Sequence, residues 1–122
     1  MRLLTRSFDN IPPEVLEYTV YAISTTKPQR HKDIPILWLF APTFDTQIEY
    51  NTTKDYSKFI ERMTAAFKQR ASAIGDWVKT NPDSKVCLVC WEASDSCHRR
   101  LAAEAVRQAA EKSGIPVTID IG

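Results

Sequence analysis

An open α/β fold, three layers deep and Rossmann-like, with a mostly parallel or mixed sheet, is what this sequence predicts from three observations. Short β-rich runs stand near both ends of the chain and in its middle. Two segments carry helical periodicity, and each joins two candidate strands across enough residues for a parallel crossover. At 122 residues and 43% hydrophobic composition, the chain has the size of one domain spanning residues 1–122 and buries a core without disulfide or metal support.

The elements follow in order. Leu3 to Phe8 and Tyr18 to Ser24 read as strands, separated by Asp9-Asn10-Ile11-Pro12-Pro13, where proline fixes φ and removes a donor. Ile36-Leu37-Trp38-Leu39-Phe40 is an unbroken apolar run between Pro35 and Pro42, the pattern of a strand buried on both faces, and is expected at the sheet centre. Tyr56, Phe59, Ile60, Met63, Phe67, Ile74, Trp77 and Val78 fall on one stripe of a long amphipathic helix, capped by Thr52 or Thr53 and stopped by Asn81-Pro82. Trp38 and Trp77 are assigned to the core. Lys85 to Trp91 reads as a second buried strand. Leu101, Ala102, Ala105, Val106 and Ala109 mark a second main helix ending at Gly114, and Val117 to Ile121 is a final β-branched strand. The first strands pair antiparallel or lie at an edge, and their order does not follow from the pattern.

Composition bounds the function. Sixteen Lys and Arg balance 15 Asp and Glu, so no global basic field points to nucleic acid. Met1 to Arg6 lack the apolar run of a secretory signal, and no stretch approaches a membrane span, so a cytoplasmic protein away from membranes is expected. Three cysteines suit packing, catalysis or metal binding better than a disulfide scaffold. No cofactor motif is present, and nothing specifies an oligomeric state.

Chemistry concentrates in Val89-Cys90-Trp91-Glu92-Ala93-Ser94-Asp95-Ser96-Cys97-His98-Arg99-Arg100, which runs from a strand's carboxyl end into a helix's amino end. Open α/β sheets bind ligands at such junctions. Ser94, Asp95 or Ser96 supplies a cap, leaving Cys97, His98 and Arg99 in the first turn, where unpaired amides and the helix dipole favour an anion or thiolate. Cationic His98 and Arg99 would add to that field, the setting in which a cysteine becomes nucleophilic near neutral pH. Glu92 is a candidate general acid or base, or a partner orienting His98, although a hydrogen bond closing the loop explains it as well. Trp91 is a candidate pocket wall, and Arg100 an ordinary surface charge. Cys87 and Cys90, three apart on a strand, point to opposite faces, so they do not form one metal site. Cys87 reads as a core residue. Ser24-Thr25-Thr26-Lys27-Pro28-Gln29-Arg30-His31-Lys32 carries phosphate-type donors and reaches the same edge if its strand runs parallel to that of Cys90; Ser24, Thr25 and Lys27 are candidate ligand contacts.

The segment Leu88-Val89-Cys90-Trp91-Glu92, a short polar loop, then Cys97-His98-Arg99-Arg100-Leu101-Ala102, resembles the signature of the domain-of-unknown-function 488 (DUF488) family. Tyr21-Ala22-Ile23-Ser24 with Pro28, Phe40-Ala41-Pro42 and Tyr56 extend the likeness over most of the chain, although only the cysteine segment is specific. The resemblance implies that Cys90, Glu92, Cys97, His98 and Arg99 are characteristic positions and that the cysteine pair serves an enzyme; Trp91 departs from the smaller or different residue expected there.

Four functions stay open at this level. The first is a thiol-dependent enzyme on a phosphorylated or nucleotide-type small molecule. The second is a non-enzymatic anion- or nucleotide-binding module using His98, Arg99 and backbone amides. A Cys90–Cys97 redox switch is the third. Last is a metal site of Cys90, Cys97 and His98 with a fourth ligand such as His31, disfavoured because the paired spacing of structural zinc sites is missing, so no metal is expected.

Overall fold

A computed structural model describes residues 1–91 and 98–122. Four strands, β1 (Arg2–Ser7), β2 (Thr19–Ala22), β3 (Lys85–Cys90) and β4 (Thr118–Ile121), form one open sheet in the order β2-β3-β1-β4. Every pair is parallel, so the first strands are not antiparallel, and β2 is an edge. The α-helices are α1 (Phe44–Thr53), α2 (Tyr56–Gln69), α3 (Ala71–Thr80) and α4 (Arg99–Ser113). The fold is therefore α/β with a parallel sheet, and four α-helices stand among the described residues where two main ones were expected.

Alternation along β1 and β3 divides the core. Leu3, Val86, Leu88 and Cys90 belong to a large cluster with residues of α2, α3 and α4, whereas Leu4, Cys87, Val89 and Ala22 belong to a smaller one on the other face. Ile11, Val15, Tyr18, Ile34 and Ile36 cover the smaller cluster, so that layer consists of 3₁₀ turns and loop, not α-helix. As expected for residues three apart, Cys87 and Cys90 face opposite ways.

The run Ile36 to Phe40 is not the central strand. It makes a single bridge, Ala22 to Ile36, and then coils into a 3₁₀ turn over Trp38–Phe40. Only Phe40 of the run is fully buried, edge-on to Phe67 and Trp77 with ring centroids 5.9 and 5.4 Å away, while Trp38 is 51% exposed and so does not belong to the core. A short apolar run has no periodicity with which to declare its conformation. Here the turn's carbonyls are taken by a side chain instead of a neighbouring strand: Arg70 Nη1 donates to Trp38 O, Leu39 O and Ala41 O at 3.3, 3.1 and 2.8 Å.

The same arginine marks where the expected long helix divides. Arg70 has ψ 6° and separates α2 from α3, yet the stripe through Phe67, Ile74 and Val78 stays buried across the break. The start of α2 is capped by Asp55, which accepts from the Lys58 amide at 3.1 Å, not by Thr52 or Thr53, which lie in the last turn of α1. At the far end of the chain, α4 stops as expected at Gly114, whose φ of 66° is the left-handed conformation that glycine adopts without a Cβ clash.

Candidate functional site

Connections set the location. The chain leaves β1 and crosses β3 to reach β2, and it leaves β3 through α4 and crosses β1 to reach β4. The carboxyl ends of β1 and β3 thus diverge in opposite directions, the switch point at which open parallel sheets leave a crevice. Ser7 and Cys90, the last residues of those strands, are register partners there.

Around Cys90 the edge opens into a cavity of about 400 Å³. Ser24, Thr25 and Thr26 line it from the end of β2, Gln47, Tyr50, Asn51 and Lys54 from α1 and its cap, Phe59 from α2, and Cys90, Trp91 and His98 from the β3–α4 junction. A larger groove of about 550 Å³ between α2, α3 and α4 shares none of these residues.

Of the residues singled out from sequence, Cys90, His98, Trp91, Ser24 and Thr25 meet at the cavity. The condition on the Ser24–Thr26 loop holds, because β2 does run parallel to β3. Trp91, 46% exposed, ties the two strand ends together: its Nε1 donates to Thr26 O and Oγ1 at 3.0 and 3.1 Å. Ser24 Oγ donates to Thr26 O at 2.6 Å and tightens the same loop. Lys27 lies elsewhere, since its ammonium donates to Lys32 O and Ile34 O at 2.8 and 2.6 Å and closes its own turn. Glu92 and Cys97, with the candidate caps Ser94, Asp95 and Ser96, fall outside the described residues.

Arg99, the first residue of α4, is buried, and its Nη1 stands 3.8 Å from Cys90 Sγ. A guanidinium stays charged at any ordinary pH, so the sulfur has a permanent cation beside it in a region of low water content. Cys90 is disulfide-bonded, whereas Cys87 is a free thiol whose ionisation burial pushes up to about 11.

His98 does not supply the positive charge expected of it. Burial pushes its imidazole down to about 4; the nearby carbonyls of Ile23 and Phe40, which favour the cation, oppose that shift, and the guanidiniums of Arg70 and Arg99 add to it. The ring is neutral at pH 7, and because a carbonyl only accepts, Nε2 carries the proton that it donates to Ile23 O at 2.6 Å. His98 thus pins the end of β2 to the start of α4.

A pH dependence follows. The folded His98 ionises below its unfolded value of about 6.5, so the unfolded chain binds the extra proton first. This contribution is fully present above the unfolded value and is lost as pH falls through the interval toward about 4. Its size is on the order of 3 kcal/mol. Urea unfolding at neutral and mildly acidic pH should show a steeper loss for the native sequence than for His98→Gln, and equal slopes would contradict the assignment.

Sequence reasoning missed the α1 wall. Gln47, Asn51 and Lys54 project into the cavity from a helix whose apolar residues Phe44 and Ile48 are exposed, so it carries no apolar stripe facing the core. The available signal was Thr43 just after Pro42: its Oγ1 accepts from the Thr46 amide at 3.2 Å and starts the helix.

Among the described residues, no three His, Cys, Asp or Glu side chains gather in a way that would hold a metal, and no helix is long and apolar enough to cross a membrane. The fold and site define a class, an open parallel α/β protein with a cysteine at its carboxyl-edge crevice. Comparison of the chain with family models, with curated proteins and with solved structures finds no match.

Proposed function

We infer that this chain is a DUF488-like, thiol-dependent enzyme of the cytoplasm, acting on a small phosphorylated or nucleotide-type molecule held in the carboxyl-edge cavity. One observation carries the reading: Cys90 lines a polar cavity at the sheet's switch point with a buried guanidinium 3.8 Å from its sulfur. A cation at that distance favours thiolate over thiol, and the thiolate is the nucleophile. The hydroxyls of Thr25 and Thr26, with the ammonium of Lys54, offer donors to an anionic group entering the same space, while Ser24, whose proton goes to Thr26 O, shapes the loop that presents them. Glu92 and Cys97 keep their sequence-derived roles, as acid or base and as second thiol.

The test is ligand protection. Reduced protein is alkylated at Cys90 with and without nucleoside monophosphates or inorganic phosphate, and occupancy of the cavity should slow labelling at least several-fold. A Cys90 rate unchanged by every phosphorylated probe would remove the substrate class. If Cys90→Ser retains full turnover of a substrate so identified, a binding module is the better description.

A second reading is favoured by one observation, that Cys90 is disulfide-bonded while Cys87 is free. In it, Cys90 and Cys97 form a reversible pair that holds the nucleophile inactive under oxidising conditions. The enzyme reading accommodates this, because reduction then precedes catalysis.

A further inference from the structure

We propose that Ser7 is a positioning residue of the site, its hydroxyl donating a hydrogen bond to the Cys90 thiolate once the disulfide is reduced. This rests on the reading that Cys90 works as a thiolate. It begins with the sheet: β1 and β3 are parallel neighbours and Ser7 is the register partner of Cys90. Because side chains alternate, Ser7 shares its face with Leu3, and Leu3 and Cys90 belong to the same core cluster. Register partners on adjacent strands lie about 5 Å apart, with side chains on the same side.

Ser7 is 1% exposed, and its Oγ has no hydrogen-bond partner among the described residues. A buried donor without an acceptor is a standing cost to the fold, and such groups call for a physical account. The account here is that the acceptor exists in another state of the protein. A sulfur engaged in a disulfide accepts weakly, whereas a thiolate is an anionic acceptor that forms a charge-assisted bond. When an added dithiol reduces the disulfide by exchange and leaves oxidised itself, the freed Cys90 thiol loses its proton to solvent, and the negative sulfur lies between the Arg99 guanidinium on one side and the Ser7 hydroxyl on the neighbouring strand.

Thr5 Oγ1 is also buried and unpartnered among the described residues, but its register partner is Leu88. An orphan hydroxyl alone therefore does not assign a role; the cysteine opposite Ser7 does. Thr5 is the natural control.

The experiment uses the full chain, reduced, with Cys90 alkylation by iodoacetamide followed by mass spectrometry from roughly pH 5 to pH 10, a range spanning thiol ionisation. Ser7→Ala should raise the midpoint of the labelling curve by about one pH unit, roughly a tenfold loss of thiolate below that midpoint. Ser7→Thr keeps the hydroxyl and should restore the native curve, and Thr5→Val should leave it unmoved. A Ser7→Ala curve that superimposes on the native one, while native Cys90 still titrates as a thiolate, overturns the role of Ser7 and leaves the enzyme reading standing. Native Cys90 that never labels as a thiolate overturns both.

Discussion

Phe40→Ala is expected to cost about 3–5 kcal/mol, the range for deleting a buried aromatic ring. Phe40 is fully buried between Phe67 and Trp77, joining α2 and α3 to a 3₁₀ turn that is not itself a strand of the sheet. The lost ring leaves a cavity that helix packing and the Arg70 bonds to the surrounding carbonyls keep from collapsing. Trp38→Ala, two residues earlier and half exposed, should change stability by less than about 1 kcal/mol, as surface substitutions do. Urea denaturation with a common slope separates the two. Were the segment a central strand buried on both faces, the two substitutions would cost similar amounts.

Arg99→Met should slow alkylation of reduced Cys90 near neutral pH by about tenfold or more, and move the labelling midpoint upward. Methionine keeps much of the apolar bulk but removes the charge 3.8 Å from the sulfur, so the buried thiolate loses the cation that offsets its desolvation. Arg99→Lys should fall between, since an ammonium restores the charge without the planar fork. Labelling is compared under conditions where circular dichroism shows each variant folded. An Arg99→Met curve identical to the native one would show that the guanidinium does not stabilise the thiolate.

How much of this was legible in the sequence differs by element, for physical reasons. The strands Arg2–Ser7 and Lys85–Cys90 announced themselves by composition, and α4 by its alanine-rich face and Gly114. The stripe from Tyr56 to Val78 gave the buried face of α2 and α3 but hid the break at Arg70, because the stripe stays in phase across it. Ile36 to Phe40 misled because only Phe40 is fully buried and, past one bridge to Ala22, the carbonyls of Trp38 and Leu39 are taken by the distant Arg70 guanidinium. At the site, local sequence placed Cys90, Trp91, His98 and Arg99 at one junction, and Ser24 and Thr25 joined them once β2 proved parallel. Two things were out of reach. The neutrality of His98 depends on burial against carbonyls of residues 23 and 40, and the meeting of Ser7 with Cys90 depends on a strand register that spans most of the chain.

The most direct test of the central claim, that Cys90 is an activated thiol, is pH-resolved alkylation of the reduced native protein, read cysteine by cysteine. The account predicts that Cys90 reacts as a thiolate with a midpoint below the ordinary thiol value of about 8.5, that Cys87 stays silent until the protein is unfolded, and that Cys90 is silent when the reductant is omitted. Cys90 inert across the same range in the reduced, folded protein would contradict it.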